Sequence, residues 1–508
     1  MRRFAAVPAI ESPSITDGPP RNARESHAVP RTRRELLVAG AAAALAAPFV
    51  PLGGGAGARG SPNVLVIVVD TLRADHVYGD RARTPSMDSL IDAGLSFTRA
   101  VPEAMPTVPA RNAILSGRRG FPFRGWHDYR GLMNSPGWFP LREPQQAWTS
   151  VLRRAGYFTG YVTDNPFLGF SYSYEDFRRT FDLFYRRGGQ VGGTDRGVPD
   201  ELLRHWMHPA IRGDKEADRL RRYLANGGHA RSESDTFAGR VFRSGLEALD
   251  RAAKQRPFAL VVDTFAPHEP WTPPRRYLDM YGDPDWRGPE PGTLRYGRVE
   301  NWLGEDEAPS VLKRLRALYA AEVTMTDRWI GVLLESLHEL GLEEDTVIVL
   351  VGDHGIFIGE RGWTGKISVV LHPELVRVPL VIVDPARRRA GRTSDYRAST
   401  HDIAPTLLSM TGVDPPREME GADLSQLFHG REPPKRPFAY GGYANTHYLR
   451  NDRWTYFADN RMRNPSLFDR RRDRAELQNV AKRHPDVVRE LRERVLEEAG
   501  GRLPFYPK

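Results

Sequence analysis

The run Asn63-Val64-Leu65-Val66-Ile67-Val68-Val69-Asp70 carries six consecutive aliphatic residues before it closes on an aspartate. A strand exposed on one face alternates, so an unbroken run of this kind reads as a central parallel strand covered on both faces. Asp70 then stands at its carboxyl end, the rim where open α/β sheets gather their ligands. The same construction recurs at Phe258-Ala259-Leu260-Val261-Val262-Asp263 and at Thr346-Val347-Ile348-Val349-Leu350-Val351-Gly352-Asp353, each after a helical pattern. Three strands delivering carboxylates to one rim imply one site.

Helical periods are expected over 85–93, 147–155, 234–254, 310–340 and 402–411, and their alternation with buried strands indicates a doubly wound α/β sheet with helices on both faces. Segments 188–228 and 281–309 are dominated by Gly, Pro and charge. They read as long surface insertions, either shaping the rim of a site or serving as variable loops. Beyond Arg431-Glu432-Pro433-Pro434-Lys435 the texture changes. Short alternating runs over 438–443, 447–450 and 454–458 suggest a small antiparallel sheet, and a charged helix follows over 485–499. This places a main domain at 59–435 and a C-terminal α+β subdomain at 436–508.

The chain has 508 residues, 40% hydrophobic and 27% charged, which excludes collagen-like, coiled-coil and wholly disordered classes. It has no cysteine, so disulfide frameworks, thiolate metal sites and thiol nucleophiles are also excluded. Of the net charge of +9, the first 58 residues, with seven Arg and four acidic residues, supply +3. The rest is spread out rather than gathered into aromatic-interleaved basic runs, which argues against nucleic acid and for a small anionic substrate.

Thr32-Arg33-Arg34-Glu35-Leu36-Leu37 opens an Ala-rich apolar stretch that reaches Pro51 and is followed by Ala56-Gly57-Ala58. It resembles a twin-arginine export signal, shorter than the ~20 apolar residues of a spanning helix and followed by a small-residue cleavage pattern. Residues 1–30 lack an apolar period and are expected to be disordered. Residues 1–58 therefore read as a leader removed after Ala58, with a periplasmic or extracellular destination and membrane contact only during export. An uncleaved anchor is the alternative.

In Asp353-His354-Gly355, a carboxylate and an imidazole at one strand end can both reach a divalent cation while the glycine turns the chain away. The alternative is an aspartate capping a following helix and a hydrogen-bonded histidine. Thr107-Val108-Pro109-Ala110-Arg111 opens a helical run. A hydroxyl at a helix start, with Arg111 on the same turn, suits attack on a tetrahedral oxyanion. Thr107 also fits a simple N-cap. His372 and His401 read as hydrogen-bonding loop residues. Phe121-Pro122-Phe123-Arg124-Gly125-Trp126 either walls an apolar pocket or packs in a core, and Tyr172 and Tyr174 carry the same two readings.

Taken together, Val69-Asp70-Thr71-Leu72-Arg73-Ala74-Asp75, Thr84-Pro85-Ser86-Met87-Asp88-Ser89-Leu90, the Thr107 to Arg111 segment with Ser116-Gly117-Arg118, Pro267-His268-Glu269-Pro270, Asp353-His354-Gly355 with Lys366, and Val378-Pro379-Leu380 resemble the sulfatase family of the alkaline phosphatase superfamily. Ser466-Leu467-Phe468-Asp469 and Glu476-Leu477-Gln478-Asn479-Val480-Ala481 are similar to the family's closing segment, so the resemblance runs from residue 62 to about 482. It implies an alkaline-phosphatase-like fold in which Asp70, Asp353 and His354 bind one divalent ion (Ca, Mn or Mg, with Zn a further candidate). Thr107 would be nucleophile and metal neighbour, and Arg111 would steady the nucleophile or the transferred oxyanion. His268 and Lys366 would contact substrate oxygens, one of them aiding the leaving group.

Three departures qualify this. The family's sulfatases oxidise a Cys or Ser to formylglycine, whereas Thr107 has a β-methyl and cannot give an aldehyde, so no formylglycine is expected. Thr71 stands where many sulfatases place a second metal-binding Asp, so the shell resembles that of the phosphonate monoester hydrolase branch. Asn165 and Phe167 occupy positions where arylsulfatases show Lys and His, and Asn165 is kept as a substrate contact. A threonine alkoxide can attack phosphorus, as in nucleotide pyrophosphatase/phosphodiesterase relatives. Those relatives use a second zinc, for which Asp263 and His268 are weaker candidates than the single-metal set. The expectation is a metal-dependent hydrolase of a small sulfate or phosphate ester, phosphodiester or phosphonate being favoured by Thr107. A non-catalytic binding protein of the same fold is the alternative.

Overall fold

The computed structural model describes residues 60–168, 175–188, 190–191, 197–212, 215–228 and 232–507. The leader expected over 1–58 and the residues Tyr172 and Tyr174 lie outside them. The main sheet runs in the order Arg392–Ser394, Leu95–Phe97, Leu380–Val383, Thr346–Gly352, Asn63–Val69, Phe258–Thr264, Phe158–Thr163, Leu183–Arg186. From Thr346–Gly352 to Leu183–Arg186 all neighbours are parallel, while Leu380–Val383 joins Thr346–Gly352 antiparallel.

All of Asn63–Val69 is buried, as its unbroken apolar run requires. Leu65, Ile67 and Val69 pack in one core with helices Phe237–Ala252 and Ala308–Glu339. Val64, Val66 and Val68 pack in a second core with Thr107–Ser116, Trp148–Arg154 and Ile403–Met410. Each of these side chains contributes roughly 1.5–3 kcal/mol by leaving water.

The strand period of two carries this second face to the rim. Asp70 continues the column Val64, Val66, Val68. Asp353 continues Val347, Val349, Val351, and Asp263 continues Ala259, Val261. The pairing Val69↔Gly352 sets Asp70 level with Asp353, while Val68↔Asp263 places Asp263 on the same face two residues below them. Three carboxylates therefore emerge under the helix that begins at Thr107.

The expected helices are found at Pro85–Ala93, Trp148–Arg154, Phe237–Ala252, Ala308–Glu339, Ile403–Met410 and Pro485–Glu498. The two insertions differ from the surface-loop reading. The first forms helices Asp200–Trp206 and Lys215–Tyr223, and Ala217, Leu220 and Tyr223 enter the core, as do Leu294 and Trp302 of the second. An apolar stripe only one residue wide, set in a charged background, hides the helical period.

The small sheet has the order Ser466–Asp469, Trp454–Asp459, Thr446–Arg450, Ala439–Tyr443, Ala104–Met105. Its first four strands are antiparallel neighbours, and Ala104–Met105 pairs parallel with Ala439–Tyr443. That added strand leads through Pro106 into the Thr107–Ser116 helix, so the small sheet anchors the approach to Thr107. Phe121 and Phe123 pack in its core, which decides their role. No helix among the described residues is long and apolar enough to cross a membrane.

Candidate active site

Asp70, Asp353 and His354 offer ligand atoms that all lie within 4.8 Å of one another, and all three are buried. His354 Nε2 is 3.4 Å from Asp353 Oδ2 and 3.8 Å from Asp70 Oδ1. His354 Nδ1 donates to the Gly355 carbonyl at 2.9 Å, so Nε2 presents a lone pair to the two carboxylates. Burial pushes His354 down to about 4, which keeps it neutral. Burial and then the Asp353 charge push Asp70 up to about 6, and burial raises Asp353 as well. Asp70 Oδ2 has no hydrogen-bond partner among the described residues, although Arg111 Nη1 lies 3.1 Å away. Two carboxylates and one imidazole lone pair converging on one point fit a divalent cation. Gly355 is required here because a Cβ would meet the Glu374 carbonyl oxygen at 2.0 Å.

Thr107 Oγ1 lies 3.4 Å from His354 Nε2. Pro106 occupies the N-cap position and Thr107 is the first helical residue, so the capping reading of Thr107 is corrected. Its hydroxyl faces the metal ligands instead.

Arg111, one turn further on, is directed toward the strand ends and the first turn of its own helix. Its Nε and Nη2 donate to Asp263 at 2.9 and 2.7 Å, and its Nη1 donates to Asp353 Oδ2 at 2.5 Å and to the Thr107 carbonyl at 3.1 Å. Buried carboxylates on neighbouring strands engage the guanidinium fork, so Arg111 braces the ligand set and the first helical turn that carries Thr107. Asp263 also accepts from Tyr161 Oη at 2.8 Å and is committed to this network. Asp70, Asp353 and His354 form the one metal-capable cluster found among the described residues.

His268 and Lys366 are in contact with each other. Lys366 Nζ donates to His268 Nε2 at 3.1 Å and to Glu269 Oε2 at 3.0 Å, while His268 Nδ1 donates to the Glu269 carbonyl at 2.7 Å. Phe265 stacks on the imidazole with centroids 4.0 Å apart. Burial pushes His268 down to about 4 and lowers Lys366, with Glu269 opposing both. Burial alone would raise Glu269, yet His268, Lys366 and Arg219 hold it well below the usual carboxylate range. The Asp70 charge also acts on Lys366 and His268, which joins this pair to the metal ligands as one electrostatic site.

Asn165 follows the Phe158–Thr163 strand and is buried. Its Oδ1 accepts from Phe167 N at 3.0 Å, and its Nδ2 has no partner among the described residues. Phe167 packs edge-on to Trp138 and Phe265, continuing the aromatic wall behind His268. His372 pairs with Glu476 at the N-cap of Pro373–Val376, and His401 hydrogen-bonds Ser399 from within the 3-10 turn Thr400–Asp402 rather than from a loop.

Four contributors escaped the sequence reading. Thr71 N donates to Asp353 Oδ1 at 2.8 Å and its Oγ1 to Asp70 Oδ1 at 2.6 Å, clamping both carboxylates. It does so at φ +60°, a conformation a β-branched residue adopts at a cost of about 1–3 kcal/mol. Glu269, Arg219 and Tyr296 form the support of Lys366: Tyr296 Oη donates to Glu269 Oε1 at 2.5 Å, and Arg219 Nη1 lies 3.2 Å from the same oxygen. Arg219 and Tyr296 come from the two insertions, which therefore converge on the site. Thr71 and Glu269 carried a signal, their places beside Asp70 and beside His268 in Pro267-His268-Glu269-Pro270, whereas Arg219 and Tyr296 carried none.

The sulfatase family model matches residues 62–413, and the model described as N-sulphoglucosamine sulphohydrolase, C-terminal, matches 359–500. The chain belongs to the sulfatase family, within the alkaline phosphatase superfamily, and is an ester-hydrolysing enzyme. It is 26% identical over 474 residues to an arylsulfatase of Clostridium perfringens, covering 88% of this chain and 96% of the relative. It is likewise 26% identical over 415 residues to the multifunctional alkaline phosphatase superfamily protein PehA of Trinickia caryophylli, covering 71% of this chain and 76% of the relative. The fold is shared with the phosphonate monoester hydrolase of Silicibacter pomeroyi at a TM-score of 0.65 and 21% identity, covering 86% of this chain and 95% of that one. The phosphonate monoester hydrolase of Agrobacterium radiobacter gives a TM-score of 0.64 at 22% identity, with the same coverage.

Proposed function

We propose that the protein is a divalent-metal-dependent hydrolase that opens a phosphodiester or phosphonate ester of a small anionic substrate through Thr107, with sulfate esters the lesser activity. The observation that carries this is the side chain beside the ligand set: Thr107 Oγ1, 3.4 Å from His354 Nε2, belongs to a residue whose β-methyl bars oxidation to an aldehyde. Asp70, Asp353 and His354 would hold the ion, and their hard oxygens suit Ca, Mn or Mg, with Zn a further candidate. When bound, the ion supplies positive charge that favours the ionised hydroxyl and offsets charge building on the transferred group.

Thr107 Oγ1 releases its proton to solvent and forms the new bond to phosphorus while the bond to the leaving oxygen breaks, and Lys366 Nζ gives that oxygen its proton. His268 Nε2 and Glu269 hold the ammonium in place for this. Water then opens the threonine ester, one of its protons returning to Thr107 and the other to Lys366. A threonine sulfate has no hydrated aldehyde whose collapse could expel sulfate, which is why sulfate esters rank second. Asn165 Nδ2 is the proposed contact to a substrate oxygen.

The proposal includes export by a twin-arginine route to the periplasm or cell exterior, supported by Arg33-Arg34 and the apolar stretch that follows. Replacing both arginines with lysine should stop secretion, and undiminished secretion would refute that part. The activity is tested by offering aryl sulfate, phosphodiester and phosphonate ester substrates to metal-stripped and re-metallated protein. Metal-dependent turnover highest for the phosphorus esters is expected. Efficient arylsulfatase turnover by the unmodified protein would overturn the reading.

A further inference from the structure

A cavity of about 680 Å³ lies at the seam between residues 373–377 and the small sheet, and none of Asp70, Thr107, His268, Asp353, His354 or Lys366 lines it. Gly355 N donates to the Leu375 carbonyl at 2.9 Å, so the cavity lies behind the loop that carries His354. Its walls carry Arg99, Arg377, Arg450, Arg470 and Arg474, joined by Arg361 and Arg397, against three acids, Asp75, Glu360 and Glu374.

Those acids are already engaged. Asp75 and Glu360 each hold the buried Arg73 at 2.7 Å, and Glu374 holds Arg361 at 2.6 Å. Behind the wall, Glu476 is shared by Arg450 at 2.9 Å and Arg470 at 3.8 Å, and Asp452 by Arg99 and Arg397 at 3.0 and 2.6 Å. Arg377 donates to the Thr98 carbonyl at 3.0 Å and has no ion pair among the described residues. Arg450 is only 7% exposed, yet its Nη1 lacks a hydrogen bond of proper geometry. Burial and then the Arg450 charge lower both Arg377 and Arg470, the latter to about 10. Guanidinium groups stay charged near neutral pH, so with seven arginines on the wall the acids behind it relieve only part of their mutual repulsion.

We propose that this cavity is a second anion site, taking a sugar-sized molecule that carries phosphate or sulfate ester groups with at least two negative charges. The planar guanidinium forks match tetrahedral oxyanions bidentately. The volume falls within the about 300–1,000 Å³ of small-molecule sites, and it exceeds what one inorganic oxyanion fills.

The test is calorimetric titration of the full-length, metal-loaded Thr107→Ala protein, which cannot turn over the probe, with fructose 1,6-bisphosphate and, separately, a disulfated disaccharide. At least one probe is expected to bind with one equivalent that is lost when Arg377→Gln and Arg470→Gln are added, any further equivalent at the Thr107 site keeping its Kd. The probe that binds the second site more tightly assigns the ester class. Binding of neither probe, or binding that is wholly unchanged when both arginines are removed, would overturn the proposal. The double Gln variant should melt no lower than its parent in anion-free buffer, because it removes repulsion. Should it fail to fold, the exposed Arg474→Gln substitution takes its place, with at least about tenfold weaker second-site binding expected and unchanged binding counting against the site.

Discussion

Lys366 Nζ lies 3.1 Å from His268 Nε2 and 3.0 Å from Glu269 Oε2, so one buried ammonium is shared between a neutral imidazole and a carboxylate. In the proposed mechanism Lys366 is the proton donor of the pair, and the Glu269 charge favours its charged form. Lys366→Ala should lower kcat/KM by about 10²–10⁴, the range of a lost general acid.

The pH profile tests the same arrangement. Burial lowers Lys366 and the Glu269 charge raises it. Glu269→Gln removes the raising contribution, so the pKa falls further and the alkaline limb of kcat/KM should move to lower pH. An unmoved limb would show that another group supplies the proton.

Thr107→Ser keeps the hydroxyl and should retain much of the phosphodiesterase or phosphonate-ester activity. Thr107→Ala should lose about 10³-fold or more, as removal of a covalent nucleophile does. Full activity in the Ala variant would leave the hydroxyl without a role in bond formation.

Arg111→Lys separates bracing of the ligands from contact with substrate. Lysine cannot reproduce the fork that spans Asp263 and Asp353. Metal affinity, measured by chelator competition, should fall by about 10–100-fold, as it does when groups that orient metal ligands are lost. Unchanged metal affinity with a raised KM would assign Arg111 the oxyanion role.

Glu322 is buried on the Ala308–Glu339 helix, where its Oε1 accepts from Thr272 N at 2.9 Å, and burial pushes it up to about 8 from 4.5. A carboxyl raised in the folded state contributes stability at low pH that is lost as pH climbs from 4.5 through about 8. Glu322→Gln retains an accepting oxygen and does not ionise. Its Tm should therefore fall less than that of the parent between pH 5 and 8, and parallel melting curves would refute the assignment.

Much of the fold was legible because burial writes itself into short-range pattern. The aliphatic columns ending in Asp70, Asp263 and Asp353 announced parallel strands and one rim, and Thr107 and Lys366 stood in a recognisable order around them. The helix Lys215–Tyr223 was not legible, because its buried stripe is a single residue wide among charges. The direction of Arg111 was equally hidden. Its sequence neighbours fix the turn of helix it occupies, whereas its partners lie 152 and 242 residues away.

The sequence by itself determined which residues end the central strands, which hydroxyl opens the helix above them, and that this hydroxyl cannot become an aldehyde. These are local facts, set by alternation, by helix initiation and by the covalent structure of threonine. Only the tertiary structure decided that Thr71 clamps both carboxylates at φ +60°, that Arg111 braces Asp353 and Asp263, and that Arg219 and Tyr296 reach in from separate insertions to support Glu269 beneath Lys366. Each of these depends on strand register and long-range packing, which place side chains within hydrogen-bond reach without leaving a short-range trace in the chain.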